Sequence, residues 1–254
     1  MGRVAKVSGT NRSLITGYIV LTLMDRDGRV LLKRAKEFNS FVKNFLAMLE
    51  RMLKGYDTVY ADLYKLNDVT PVQLLDGTEY VPQLYPGSVQ GQEAYGWAHG
   101  YRVDADAGDK LLERNEPTDW GIIVGSDYSP TTINMYSLIS PYPHGRGAGY
   151  MNYMSTEVSE PEFDGSYVKI VIRRLIANES DTTQQVGEVG LIVRELYTWK
   201  KWLIAREAID PPIQMPPRSI LDVTIVIAGL LAPYNIYYVS DYSTGFESSS
   251  RATV

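Results

Sequence analysis

The stretch Ser219, Ile220, Leu221, Asp222, Val223, Thr224, Ile225, Val226, Ile227, Ala228, Gly229, Leu230 decides the fold. Leu221, Val223, Ile225 and Ile227 occupy every second position, and Ile220, Asp222, Thr224, Val226 and Ala228 fill the alternate ones. In an extended chain successive side chains point to opposite faces, so the first set makes one continuous apolar face. Valine, isoleucine and threonine are stiff at χ1 and fit a pleated surface, which favours a strand over a helix. One fully apolar face is the pattern of a strand whose sheet packs on a second sheet.

Working outward, three further runs read as strands: residues 167–177, 186–196 and 202–206. Turn chemistry at 178–183 separates the first two. Residues 210–218 hold Pro211, Pro212, Pro216 and Pro217. Proline has no N–H to donate, so regular ladder pairing is not expected there. Near the start, strand formers at 14–24 lead into Asp25, Arg26, Asp27 and Gly28, then Val30, Leu31 and Leu32. An Asp-Gly pair between two apolar runs signals a hairpin. Residues 120–126 read as a buried strand between glycines.

One amphipathic helix follows the hairpin. Phe41, Phe45, Met48, Leu49, Met52 and Leu53 recur at helical spacing, with Ser40 as the expected N-cap and Gly55 at the C-terminal end. A second, short helix is expected over 131–139, capped by Thr131 or Thr132, with Met135, Leu138 and Ile139 pointing inward. Residues 56–101, 103–119 and 150–165 read as loops and edge segments. The expected architecture is mainly β: a single antiparallel β-sandwich over 1–254, jelly-roll or Ig-like, with one helix packed on it and long ordered loops. A division near 105–120 is the alternative. The Ser/Thr-rich tail at 241–254 is expected to be flexible or ordered by a partner.

With 254 residues the chain can build a core without disulfide or metal staples, and it contains no cysteine. Its net charge of −5 argues against duplex DNA or RNA as a direct partner, since displacing counterions needs a basic footprint. The basic clusters, 33–36 and Lys200–Lys201, are short and read as solvated strand ends. No apolar run reaches membrane-spanning length, and the first ten residues lack the apolar core of a secretory signal. The sequons at Asn11 and Asn178 are then expected to be chance matches.

Chemistry-bearing patterns are sparse. His99 and His144 lie in Gly-rich, tyrosine-flanked stretches and have no accompanying nucleophile motif or zinc spacing. Asp104, Asp106 and Asp109 resemble half of a Ca²⁺ loop, but position 114, where the bidentate glutamate belongs, is Arg114. The carboxylates Glu157, Glu160, Glu162 and Asp164 offer a weak glycosidase-like pair; close carboxylates in a loop are usually solvated. Gly121–Ser126 lacks the lysine of a phosphate loop, and Gly145–Gly149 does not follow a strand. No catalytic residue and no cofactor is expected.

Tyrosine is abundant, with 19 residues, and supplies stiff amphipathic contact area. Tyr85, Tyr95, Trp97, Tyr101, Tyr142, Tyr150, Tyr153, Tyr242 and Phe246 are the expected contact residues, carried by the loops 85–101 and 140–165 and by the tail. The alternative is a carbohydrate-binding module with Tyr95, Trp97 and Tyr101 as stacking platforms.

Three blocks carry a family likeness. Asn39–Leu46 follows a hairpin as an "S-F-V-x-N-F" helix opening. Trp120–Ser126 and Ser129–Leu138 form a "G-I-x-V-G" strand, a "P-x-T" turn and a "Y-x-L". Residues 172–180, 186–191 and 203–206 read "R-x-x-x-N-x-S", "V-x-E-V-G-L" and "L-I-x-R". In order and spacing these resemble virion structural proteins of tailed phages and related viruses. The likeness covers somewhat over half the chain. It implies a non-enzymatic head-surface or tail component that is made in the host cytoplasm, resides in the virion, and associates with itself and with other virion proteins.

Overall fold

The computed structural model describes residues 15–38, 40–54, 70–81, 101–102, 120–163, 167–195 and 200–230. Twelve strands and one helix occur among them: β1 Ile15–Met24, β2 Val30–Glu37, α1 Lys43–Lys54, β3 Val72–Gln73, β4 Glu79–Tyr80, β5 Tyr101–Arg102, β6 Gly121–Gly125, β7 Asn152–Val158, β8 Glu162–Phe163, β9 Tyr167–Ala177, β10 Gln184–Glu195, β11 Lys201–Met215 and β12 Ile220–Leu230. The protein is mainly β, and every pair of named strands among the described residues is antiparallel.

The larger sheet has the order β2-β1-β12-β9-β7, with β8 also on β9. The smaller sheet has β11-β10 with β5 and β6 on the far side of β10. β3 and β4 form a separate hairpin. As the alternation in β12 requires, Leu221, Val223 and Ile225 are buried. They pair with Ile19, Leu21 and Leu23 of β1, and Ile172 and Ile176 of β9 share their face. The alternation slips after Ile225, where Ala228 is buried and Ile227 only partly so. From β10 and β11 come Val189, Leu191, Val193, Trp202, Leu203 and Ala205, and both sheets contribute to one continuous core. This is sandwich-like packing. The core draws on residues on both sides of 105–120.

The β1–β2 hairpin is as expected: Gly28 takes φ +80° in a turn where the Asp25 carboxylate accepts the N–H groups of Asp27 and Arg29. The helix also forms, but Ser40 is not its cap. Helix α1 begins at Lys43, and the Ser40 hydroxyl instead donates to Glu207 at 2.7 Å. The segment before the helix is held on β11, where Val42 N–H donates to the Ile204 carbonyl and Arg206 N–H to that of Ser40.

Two expectations fail because of partners distant in sequence. Residues 131–139 form no helix, because their polar groups are engaged by the β10–β11 pair, as described below. Residues 152–158 are strand rather than loop, since an N–H row along the free side of β9 is available to pair. At Pro211 and Pro212 regular ladder pairing is absent, as expected, although β11 itself runs on to Met215. The β10–β11 register shifts there, so that residues 209–212 stand opposite Gly187 alone, and the prolines sit in the bulge where no ladder donor is needed.

Side chains close both seams between the sheets. At one, Arg34 donates to the Pro211 carbonyl at 2.6 Å and Lys36 to that of Ala208 at 3.0 Å, with Lys36 also paired to Glu207. At the other, buried Arg174 of β9 donates to the Trp120 and Ile122 carbonyls beside β6 at 2.7 and 2.9 Å. Buried polar groups persist only with partners, and here the partners are the edge carbonyls of the opposing sheet.

Candidate functional site

Residues 126–151 run from β6 to β7 without a helix or extended strand, yet they are fixed at several points by buried side chains. Glu188 of β10 and Arg206 of β11 form the principal anchor. Neither side chain has exposed surface, and Arg206 Nε donates to Glu188 Oε2 at 2.7 Å. The remaining Arg206 donors reach the Ser129 carbonyl at 2.8 Å, the Thr131 hydroxyl at 3.2 Å and Asp127 at 3.2 Å. The Glu188 carboxylate accepts the N–H groups of Ile139 and Ser140 at 3.1 and 2.7 Å. One ion pair thus grips the segment at both ends of 127–140. A buried pair repays its desolvation only when its other hydrogen bonds are made, and this pair makes them within the segment. Gly125 is required for the close approach: a Cβ there would lie 2.4 Å from Glu188 Oε1 and 2.5 Å from the Ser140 carbonyl.

A second anchor fixes 147–150. Buried Gln184 donates to the Tyr150 carbonyl at 2.8 Å and accepts from Gly149 N–H at 3.1 Å. Gln184 is itself set by Asn178, whose amide donates to the carbonyls of Thr182, Met215 and Pro216. A third contact comes from the helix, where Lys43 N–H donates to the Ile133 carbonyl at 2.8 Å.

The pinned segment turns five large apolar side chains outward, among exposed polar ones such as Ser129, Thr132, Asn134 and Arg146. Ile133 keeps 59% of its surface exposed, Tyr128 54%, Ile139 49%, Tyr150 45% and Tyr136 37%. Contiguous exposed apolar side chains mark interaction sites more often than chance, whereas scattered single ones need no explanation. Five within 23 positions of one fixed segment are a candidate interaction surface. Asp127 is held below the usual carboxylate range by the Ser129 N–H and by Arg206.

Of the expected contact residues, Tyr150 is exposed on this segment. Tyr142 is half-buried, with its hydroxyl donating to the Gln185 carbonyl at 2.8 Å, and burial pushes its phenol up. Tyr153 is a correction. It is 1% exposed, its hydroxyl bridges β6 and the Tyr142 carbonyl, and burial raises its phenol far above the usual value. It belongs to the core and offers nothing to a partner. Of Tyr101 only the backbone, in β5, is described. Tyr85, Tyr95, Trp97, Tyr242 and Phe246 lie outside the described residues, as do Asp104, Asp106, Asp109, His99 and Asp164.

The remaining candidates do not converge. His144 is structural: its Nδ1 accepts the Tyr153 N–H at 3.2 Å and its ring lies against that of Tyr153. Glu157, Glu160 and Glu162 are strung along an edge strand, and Glu157 approaches Arg173 at 3.9 Å. Residues 121–125 are β6, paired along β10, which leaves no phosphate loop. The glycines at 145, 147 and 149 take positive φ in a turn that no helix follows. Among the described residues no group of three or more metal-ligating side chains comes together, and no helix is long and apolar enough to cross a membrane.

The sequence did not mark Tyr128, Ile133 and Tyr136 as exposed candidates, and its helical spacing placed Ile139 inward, where the structure leaves it 49% exposed. The signal was present in Asp127-Tyr128-Ser129-Pro130, where the Asp127 carboxylate accepts Ser129 N–H at 2.7 Å in a local turn ahead of a proline.

The fold and surface define an antiparallel β protein of two stacked sheets that presents a pinned apolar loop. Comparisons with protein-family models, curated proteins and solved structures find no match for this chain.

Proposed function

We propose that this chain is a non-enzymatic virion structural protein that assembles with copies of itself and with neighbouring particle proteins. The observation that carries the assembly reading is the 126–151 segment, whose backbone is fixed by Glu188, Arg206 and Gln184 while Tyr128, Ile133, Tyr136, Ile139 and Tyr150 face solvent. A surface ordered before contact loses little entropy on contact, and tyrosine and isoleucine provide area for few rotatable bonds. The three sequence blocks that resemble tailed-phage virion proteins support the particle as the setting. One of them supplies the anchor itself, since Glu188 and Arg206 lie in the "V-x-E-V-G-L" and "L-I-x-R" motifs of the third block.

Mass spectrometry of purified particles from the native source tests this. The chain is expected as a stoichiometric component. Its absence from particles, in a source that expresses it, overturns the proposal.

A further inference from the structure

Among the described residues, one edge of the larger sheet is acidic and the other exposes cations, and both expose apolar side chains. At one edge β7 and β8 run along β9 as a single bulged strand over 152–163. It contains Glu157, Glu160 and Glu162 and no lysine or arginine. Phe163 keeps 73% of its surface exposed and Val158 42%. The opposite edge is β2 with the turn before it, separated from the first by β1, β12 and β9. Residues 25–37 hold Arg26, Arg29, Lys33, Arg34 and Lys36 against Asp25, Asp27 and Glu37; Arg34 and Lys36 are turned onto β11, Lys36 onto Glu207, which leaves Arg26, Arg29 and Lys33 as the cations this edge presents. Val30 and Leu31 on this edge are 54% and 49% exposed. The Asp25 carboxylate folds back on its own turn, while Arg26, Arg29 and Lys33 remain exposed.

Two acidic edges meeting across a two-fold axis would oppose like charges, as would two basic ones. An acidic edge meeting a basic edge pairs them and covers Phe163 with Val30 and Leu31. We propose that copies of this chain associate head to tail, the Phe163 edge of one copy docking on the β2 edge of the next. The proposal rests on reading the chain as an assembly subunit. A contact between two different patches builds a ring where the rotation closes and a filament where it does not.

Sedimentation velocity of the full chain over a range of concentrations tests this. Association is expected at about 0.1 M salt and is expected to weaken at about 1 M, where the Debye length falls to about 3 Å. Two charge reversals probe the edges separately: Glu160→Lys with Glu162→Lys, and Arg29→Glu with Lys33→Glu. Each alone is expected to raise the dissociation constant at least about tenfold, and mixing the two variants should restore pairing between them, reversed edge to reversed edge. Phe163→Ser should weaken association without any change of charge, with unfolding temperature as the control for folding. Association of the wild-type chain that neither reversal weakens overturns the head-to-tail contact and leaves the assembly reading intact. A wild-type chain that stays monomeric throughout also overturns the contact, and the particle measurement then decides the assembly reading by itself.

Discussion

Glu188 and Arg206 are diagonal neighbours on β10 and β11, their side chains joined at 2.7 Å with no surface exposed on either. Five groups of the 127–140 segment are bonded to this pair: the Asp127 carboxylate, the Ser129 carbonyl, the Thr131 hydroxyl and the N–H groups of Ile139 and Ser140. Core and surface are therefore coupled through one ion pair.

Arg206→Met leaves Glu188 buried without its cation, a loss expected to cost about 3–5 kcal/mol. Chemical denaturation measures it. The Glu188→Leu, Arg206→Met double variant should recover much of that stability, because neither charge then remains buried. In the double variant the 127–140 segment loses this anchor and becomes open to proteolysis. A double variant whose segment resists protease as well as the wild type would show that the pair does not hold it.

Tyr153→Phe separates a core role from a contact role. Its hydroxyl donates at 2.9 Å to Tyr142 and lies 3.2 Å from the Val124 carbonyl. Removing it is expected to cost about 1–2 kcal/mol of stability. Self-association, followed by sedimentation, should be unchanged.

Asn178 stands in a sequon but is wholly buried, and its amide nitrogen already donates to three carbonyls. No glycan is expected at Asn178 when the folded chain is offered to a glycosyltransferase, and intact-mass measurement would show one. Asn178→Ala should destabilise the chain by about 1–3 kcal/mol or more, since the Gln184 amide and the turn N–H at Ser180 lose their acceptor.

Acid should weaken the fold through Asp76 and Asp127. Asp76 is lowered mainly by its hydrogen bonds from Thr78, and Asp127 by the Ser129 N–H and Arg206. A carboxyl whose folded value lies below its unfolded one adds stability above the unfolded value, about 3.9. That stability is lost as pH falls through the folded value. Unfolding midpoints measured between about pH 6 and pH 3 should therefore drop at the acid end, and Asp127→Asn should flatten part of the drop.

Much of the fold was legible because period-two alternation depends only on local sequence. Leu221, Val223 and Ile225 announced a core face, and Asp27-Gly28 announced a hairpin. What stayed hidden depended on distant partners. Met135, Leu138 and Ile139 have helical spacing, but Glu188, some 50 positions on, binds the backbone at Ile139 and keeps it out of a helix. Pro211 and Pro212 ruled out regular pairing, but nothing local reveals that the strand runs on past them through a bulge opposite Gly187. Tyr153 and Tyr150 look alike in sequence. Only the strand start at Asn152 sends one into the core and leaves the other outside.

Side-chain footprinting by mass spectrometry, comparing the isolated chain with the chain in purified particles, bears most directly on the pinned segment. Tyr128, Ile133, Tyr136 and Ile139 should be reactive in the isolated chain and protected in the particle, while Tyr153 should be unreactive in both. Equal reactivity of the four in both states would mean that the surface held out by Glu188 and Arg206 meets no neighbour.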